Sequence, residues 1–182
     1  VNKYFGISEK NIYCFEPNPD NFKKIKNNQF NTYDFAISDK TGEASFNITN
    51  TDEYNNSGIS SLKRNKTVGV KLIKKVIVKT ITLKNFMSTK KIQSIDFLKV
   101  DAEGNDYKVI RGTGNRIKDI KIIQIETARK EIFEGEIVFD QLNRYMNDSK
   151  FSLVYYRLSS DNLSGDALYI NDRFLNNRKD YL

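Results

Sequence analysis

Histidine and tryptophan are absent from this 182-residue chain, cysteine occurs once and proline twice. Without imidazole there is no Ser-His-Asp or Cys-His couple and no histidine metal site, and no metal is expected. Any general base must be a carboxylate, a lysine or a tyrosine. Cys14 is the lone thiol, so no intrachain disulfide can form and the cytoplasm is the default compartment. Its apolar neighbours suggest a buried, inert thiol. No run of about 18 apolar residues occurs, so no membrane-spanning helix is expected. A G-x-G-x-x-G segment is also missing, which argues against a dinucleotide-dependent oxidoreductase. Acidic residues vanish between Glu53 and Asp96, where Lys63, Arg64, Lys66, Lys71, Lys74, Lys75, Lys79, Lys84, Lys90 and Lys91 contribute ten of the 30 basic residues. The rest of the chain holds 20 basic and 23 acidic residues, so the net charge of +7 resides in this segment. Such a stretch can meet nucleic acid, a phosphorylated substrate or an anionic membrane surface. It lacks the interleaved aromatics of a single-strand binder, and a solvated lysine-rich surface is the simpler reading.

What is present reads as one domain over residues 1–182, with strands and helices in alternation. "NIYCFE" (11–16) is a short strand ending on Glu16, followed by "PNPD", where Asn18 and Pro19 have the order of an N-cap and first helical residue. "TYDFAIS" (32–38) reads as one strand, "EASFNIT" (43–49) as a more exposed one, and "KVIVKTITL" (75–83) as another. A short helix is expected near 83–89, and a further one carries Tyr107 and Ile110. "IDFLKVD" (95–101) and "IKIIQIE" (120–126) look like strands buried on both faces. A helix near 136–147 carries Val138, Leu142, Tyr145 and Met146. "FSLVYYRL" and "DALYIN" close the chain as an antiparallel pair. This alternation predicts an α/β fold whose parallel sheet is covered on both sides.

In such sheets ligands sit beyond the carboxyl ends of the strands. Three strands deliver an acid there: Glu16, Asp101 and Glu126. A strand-end carboxylate beside a tight turn suits a ribose, because it accepts hydrogen bonds from both hydroxyls. Strand alternation places Lys99 and Asp101 on one face, with Glu103 following if the extended run continues. A plain Lys99–Asp101 ion pair would explain the same two residues.

"YCFEPNPDNFKKIKNN", "FAISDKTGEASF", "SGISSL", "IDFLKVDAEGNDYKVIRG" and "IIQIE", in this order, resemble the FkbM-type family of S-adenosylmethionine-dependent methyltransferases over about residues 11–171. The resemblance implies a Rossmann-like class I methyltransferase sheet of order 3-2-1-4-5-7-6, with strand 7 antiparallel. It also implies methyl transfer to a hydroxyl of a sugar, lipid or small metabolite, with S-adenosylmethionine as cofactor. By the same resemblance Glu16 would hold the cofactor ribose, Pro17 and Asn18 would border the adenine, and Ala36 and Ile37 would touch its edge. Asp101 would lie near the methionine end and the acceptor. It is the first choice for the base, with Glu103 second and Lys99 orienting it or steadying an alkoxide. An RNA methyltransferase using the basic segment, and a non-catalytic binding module of the same fold, are the alternatives. The family's first strand carries a D-x-G-x-x-x-G-like loop, whereas only 14 residues precede Phe15 here and Gly6 is their one glycine. The domain is therefore expected to lack its central first strand. "KYFGI" would be the end of the helix after that strand, and the chain alone would be poorly stable and bind the cofactor weakly.

Overall fold

The computed structural model describes residues 6–51, 59–160 and 162–175. Of the expected elements, Lys3–Phe5 of "KYFGI" and Ser57–Gly58 of "SGISSL" lie outside the described residues. A 3-10 turn at Glu9–Asn11 leads into strand β1 (Tyr13–Phe15). Helix α1 (Pro19–Ile25) starts as its sequence dictates, because Asn18 Oδ1 accepts from Asp20 N at 3.0 Å and Pro19 needs no donor at the first position. Strand β2 (Asn31–Tyr33) then returns parallel to β1.

The reading of 32–38 as a single strand needs correction. The backbone bends at Asp34 and Phe35, and β3 (Ala36–Ile37) joins a different sheet, parallel to β5 (Val70–Ile81). The bend lets Phe35 fold back onto Phe15, Tyr33 and Phe86, four rings whose centroids lie 4.8–6.2 Å apart. Ring packing of this kind outweighs continuing a ladder. Strand β4 (Gly42–Thr51) pairs antiparallel with β5, which starts at Val70 rather than Lys75 and carries Lys71, Lys74, Lys75 and Lys79 of the basic segment at the surface.

Helix α2 (Leu83–Thr89), capped by Thr82, precedes β6 (Ile95–Val100). Helix α3 (Asp106–Arg111) and a 3-10 turn (Gly114–Asp119) form the crossover to β7 (Ile120–Ala128), which lies parallel to β6. Helix α4 (Phe139–Asp148) and strands β8 (Phe151–Leu158) and β9 (Ser164–Asn171) follow, then the turn α5 (Asp172–Leu175). The expected antiparallel β8–β9 pair is present, and β9 inserts between β7 and β8 to give the order β6-β7-β9-β8.

One core joins these parts. Val100, Ile123, Ile125, Ala167, Tyr169 and Phe151 meet Leu83, Phe86 and Met87 of α2, Val109 and Ile110 of α3, and Leu142 and Met146 of α4. The core therefore covers one face of the four-stranded sheet. The other face corrects the expectation of coverage on both sides: Phe97 is 47% exposed and Tyr155 54%, and Lys99 is exposed as well. β6 is an edge strand among the described residues, with β7 as its one partner, and that is why a run with Asp96 and Lys99 inside it is tolerated. No described ladder connects the β1–β2 pair to β6. Contact between them runs through side chains, with Phe15 and Tyr33 packed against the core.

Candidate active site

Register assembles the acids. Val100 pairs with Ile125, so Asp101 and Glu126 come level at the carboxyl ends of neighbouring parallel strands. Glu103 reaches them by a turn and not by extended chain: it takes φ 51° and Gly104 takes φ 80°. A non-glycine residue in the left-handed region costs free energy and persists only where its surroundings impose it. Here three contacts impose it. The Asp106 carboxylate accepts from Ala102 N at 2.8 Å and Gly104 N at 2.9 Å. Ser61 Oγ donates to the Glu103 carbonyl at 2.5 Å. A Cβ on Gly104 would sit 2.5 Å from the Phe133 side chain, so glycine alone fits. The result is that carboxylate oxygens of Asp101, Glu103 and Glu126 all lie within 4.8 Å of one another.

The electrostatics follow. Burial, then the charges of Glu126, Asp101, Asp106 and Glu136, push Glu103 up to about 8. Burial, then Asp101, Asp106 and Asp166, push Glu126 up to about 8. Burial also raises Asp106 to about 6, against the two backbone donors that it accepts from. The cluster therefore holds protons at neutral pH, because like charges this close cannot all ionise. Lys99 Nζ lies 2.5 Å from Asp101 Oδ2 in the expected ion pair, half exposed. Burial pulls the Lys99 pKa down, but the hydrogen bond and charge of Asp101 outweigh it and hold it above its ordinary value. Three oxygens at this spacing are also a hard donor set that a divalent cation can use.

The second group surrounds the turn after β1. Glu16 Oε1 accepts from Asn18 N at 2.8 Å, and burial raises the carboxyl's pKa against that bond and the nearby Lys24. Asn18 is 1% exposed, and its Nδ2 finds no acceptor among the described residues. A buried amide donor without a partner is costly and marks a place where a ligand acceptor would be accommodated. The Glu16–Pro17–Asn18 turn thus fits a ribose and a purine edge. Ala36 and Ile37 are buried in the core, and the Ile37 carbonyl accepts from Asn105 Nδ2 at 3.3 Å, tying the end of β3 to the acid turn. No hydrogen bond or ion pair among the described residues joins Glu16 or Asn18 to the acid cluster. Asp101, Glu103 and Lys99 come together as expected, and Glu126 joins them. Ser61, Asp106 and Phe133 were not anticipated. Asp106 had a local signal, a carboxylate just after a glycine at a helix start. Ser61 lies inside the "SGISSL" segment, but nothing local points to its partner Glu103, 42 residues away.

A family model described as a methyltransferase FkbM domain matches residues 3–153. The chain belongs to the FkbM methyltransferase family. Among curated proteins it is similar to the 2-O-methyltransferase NoeI of Sinorhizobium fredii, 25% identical over 138 residues, covering 69% of this chain and 57% of NoeI. It is also similar to the hexuronic acid methyltransferase AglP of Haloferax volcanii, 23% identical over 160 residues, covering 85% of this chain and 60% of AglP. This FkbM chain thus spans a little over half the length of each. No solved structure matches it. No helix among the described residues is long and apolar enough to cross a membrane.

Proposed function

We propose that this FkbM chain is a domain of an S-adenosylmethionine-dependent O-methyltransferase whose acceptor is a hydroxyl on a sugar-like molecule. The observation that carries the reading is the convergence of Asp101, Glu103 and Glu126 with two pKa values near 8. The strand order supports it: β2-β1 and β6-β7-β9-β8 correspond to positions 3-2 and 4-5-7-6 of the class I methyltransferase sheet, with β9 as the antiparallel seventh strand. No described strand stands at position 1. Residues 1–182 are read as one domain of that fold.

Bound S-adenosylmethionine supplies an electrophilic methyl group for in-line displacement by an acceptor oxygen. Glu16 accepts hydrogen bonds from the ribose hydroxyls, the Asn18 amide donates to the purine or ribose, and Pro17 stiffens the wall. At the acid cluster, a base poised near neutral pH is well matched to taking a hydroxyl proton. Glu103 has that poise, while Asp101, held by Lys99, orients the acceptor and remains the alternative base. A carboxylate acceptor would need no base, which would leave the raised Glu103 without a role. A hydroxyl is therefore favoured over a carboxyl as the methylated group. A cleft at the carboxyl ends of β7 and β8, lined by Arg129, Phe139, Asp140 and Tyr156, suits the sugar. Its Tyr156 hydroxyl is buried without a partner among the described residues.

Labelled S-adenosylmethionine offered with uronic acid glycosides, neutral glycosides and RNA tests the reading. The expected product is an alkali-stable methyl ether on a glycoside. An alkali-labile methyl ester, or label in RNA alone, would overturn it.

A further inference from the structure

The hairpin of β4 and β5 carries a surface that the methyltransferase reading does not use. Along it Val68 is 98% exposed, Leu72 53%, Ile73 59% and Ile77 68%. Lys71, Lys74, Lys75 and Lys79 are interleaved with them and exposed too. Alternation along the strand puts Ile77 on the same face as Lys75 and Lys79. Lys74 takes the opposite face, opposite Ile48 in register, where Asp20 of α1 meets it at 3.4 Å and Lys23 at 3.1 Å. Among the described residues, Glu43 also lies in register with β5, directly opposite Lys79.

Lysines alone would be explained as protection of a sheet edge, since β5 pairs with β3 only at Thr80 and Ile81. Four exposed aliphatic side chains are not explained that way, because each lowers solubility and none packs in either core cluster. Aliphatics among lysines match one environment, the boundary between anionic headgroups and acyl chains. We propose that this hairpin docks the domain peripherally on an anionic membrane surface, the aliphatic side chains entering the acyl boundary and the lysines meeting the headgroups. RNA is the weaker match, since no aromatic residue or arginine lies between Lys66 and Asn85 to stack on bases. A second copy is weaker again, because it would set one lysine-rich strip against another.

The inference is independent of the acceptor and of catalysis, and vesicle binding by the 182-residue chain tests it. Vesicles of phosphatidylcholine with about 30 mol% phosphatidylglycerol should sediment the protein about tenfold or more better than phosphatidylcholine alone. Raising salt from about 0.05 to about 0.5 M should remove most of that difference. The combined variants Leu72→Ser/Ile73→Ser/Ile77→Ser and Lys75→Gln/Lys79→Gln should each lose most of the binding. As the chain has no tryptophan, Ile73→Trp provides a single reporter, expected to shift to the blue and be quenched by brominated acyl chains. Equal binding to both vesicles, or an unshifted Ile73→Trp, overturns the proposal. So does binding of a uridine oligomer without vesicle binding, or a dimer that forms through this hairpin.

Discussion

Replacing Glu103 with glutamine should stabilise the fold at pH 8.5 and flatten its dependence on pH. Glu103 and Glu126 are both held up near 8, and Asp106 near 6, by burial and by one another's charge. A carboxyl whose folded pKa exceeds its unfolded value keeps its proton longer in the native state. Between about pH 4.5 and 8 the native state therefore binds more protons, and stability falls as pH rises through that interval. The rise of Glu103 from 4.5 to about 8, at about 1.4 kcal/mol per pH unit, sets an upper bound of about 5 kcal/mol. The real figure is smaller, because Glu103 and Glu126 share one repulsion and solvent relaxes around them; about 1–2 kcal/mol is expected. The absence of histidine makes the test clean. The displaced carboxyls in this window, Glu16 included, are all raised, while Asp20 and Glu131 are lowered and titrate beneath it. Urea unfolding followed by circular dichroism at about pH 5.5, 7 and 8.5 gives the comparison. The parent should lose stability steadily, and Glu103→Gln should lose less than half as much. A parent that is equally stable or more stable at the upper end, or a variant with an unchanged slope, would refute the electrostatic account.

The same substitution should reduce methyl transfer by about 10²-fold or more if Glu103 takes the acceptor proton, with turnover in the parent rising through about pH 8. Asp101→Asn should cost less; the reverse order, resolved by a double-mutant cycle with Lys99→Met, would return the base to Asp101. Glu16→Ala should weaken S-adenosylmethionine binding by about 1–3 kcal/mol in calorimetry, and unchanged affinity in a folded protein would end its assignment to the ribose. Gly104→Ala should destabilise by about 2–4 kcal/mol, from the left-handed backbone and the Phe133 clash together. Adding Phe133→Ala should recover little of it, because the Cβ that alanine keeps is itself one of the atoms 2.5 Å from the added methyl. A Gly104→Ala variant as stable as the parent would mean that neither the backbone conformation nor the contact carries a cost.

Much of this protein was legible residue by residue. The Asn18 cap, the Lys99–Asp101 pair and the β8–β9 hairpin depend on neighbours close along the chain, so capping order, period-two alternation and short connections specify them. The order of quoted motifs also carried the family. The tertiary structure alone decided which elements face which. Residues 32–38 divide between two sheets because a ring cluster including Phe86, about fifty residues on, captures Phe35. The open face of β6 reflects where the helices pack, which hydrophobicity along one strand does not report. Glu126 became a partner of Glu103 through the β6–β7 register. The left-handed turn at Glu103 is held by Ser61 and Phe133, from loops distant in sequence. Such contacts are set by pairing and crossover, which local pattern does not encode. The charges they crowd together are what move the carboxyls toward neutral pH.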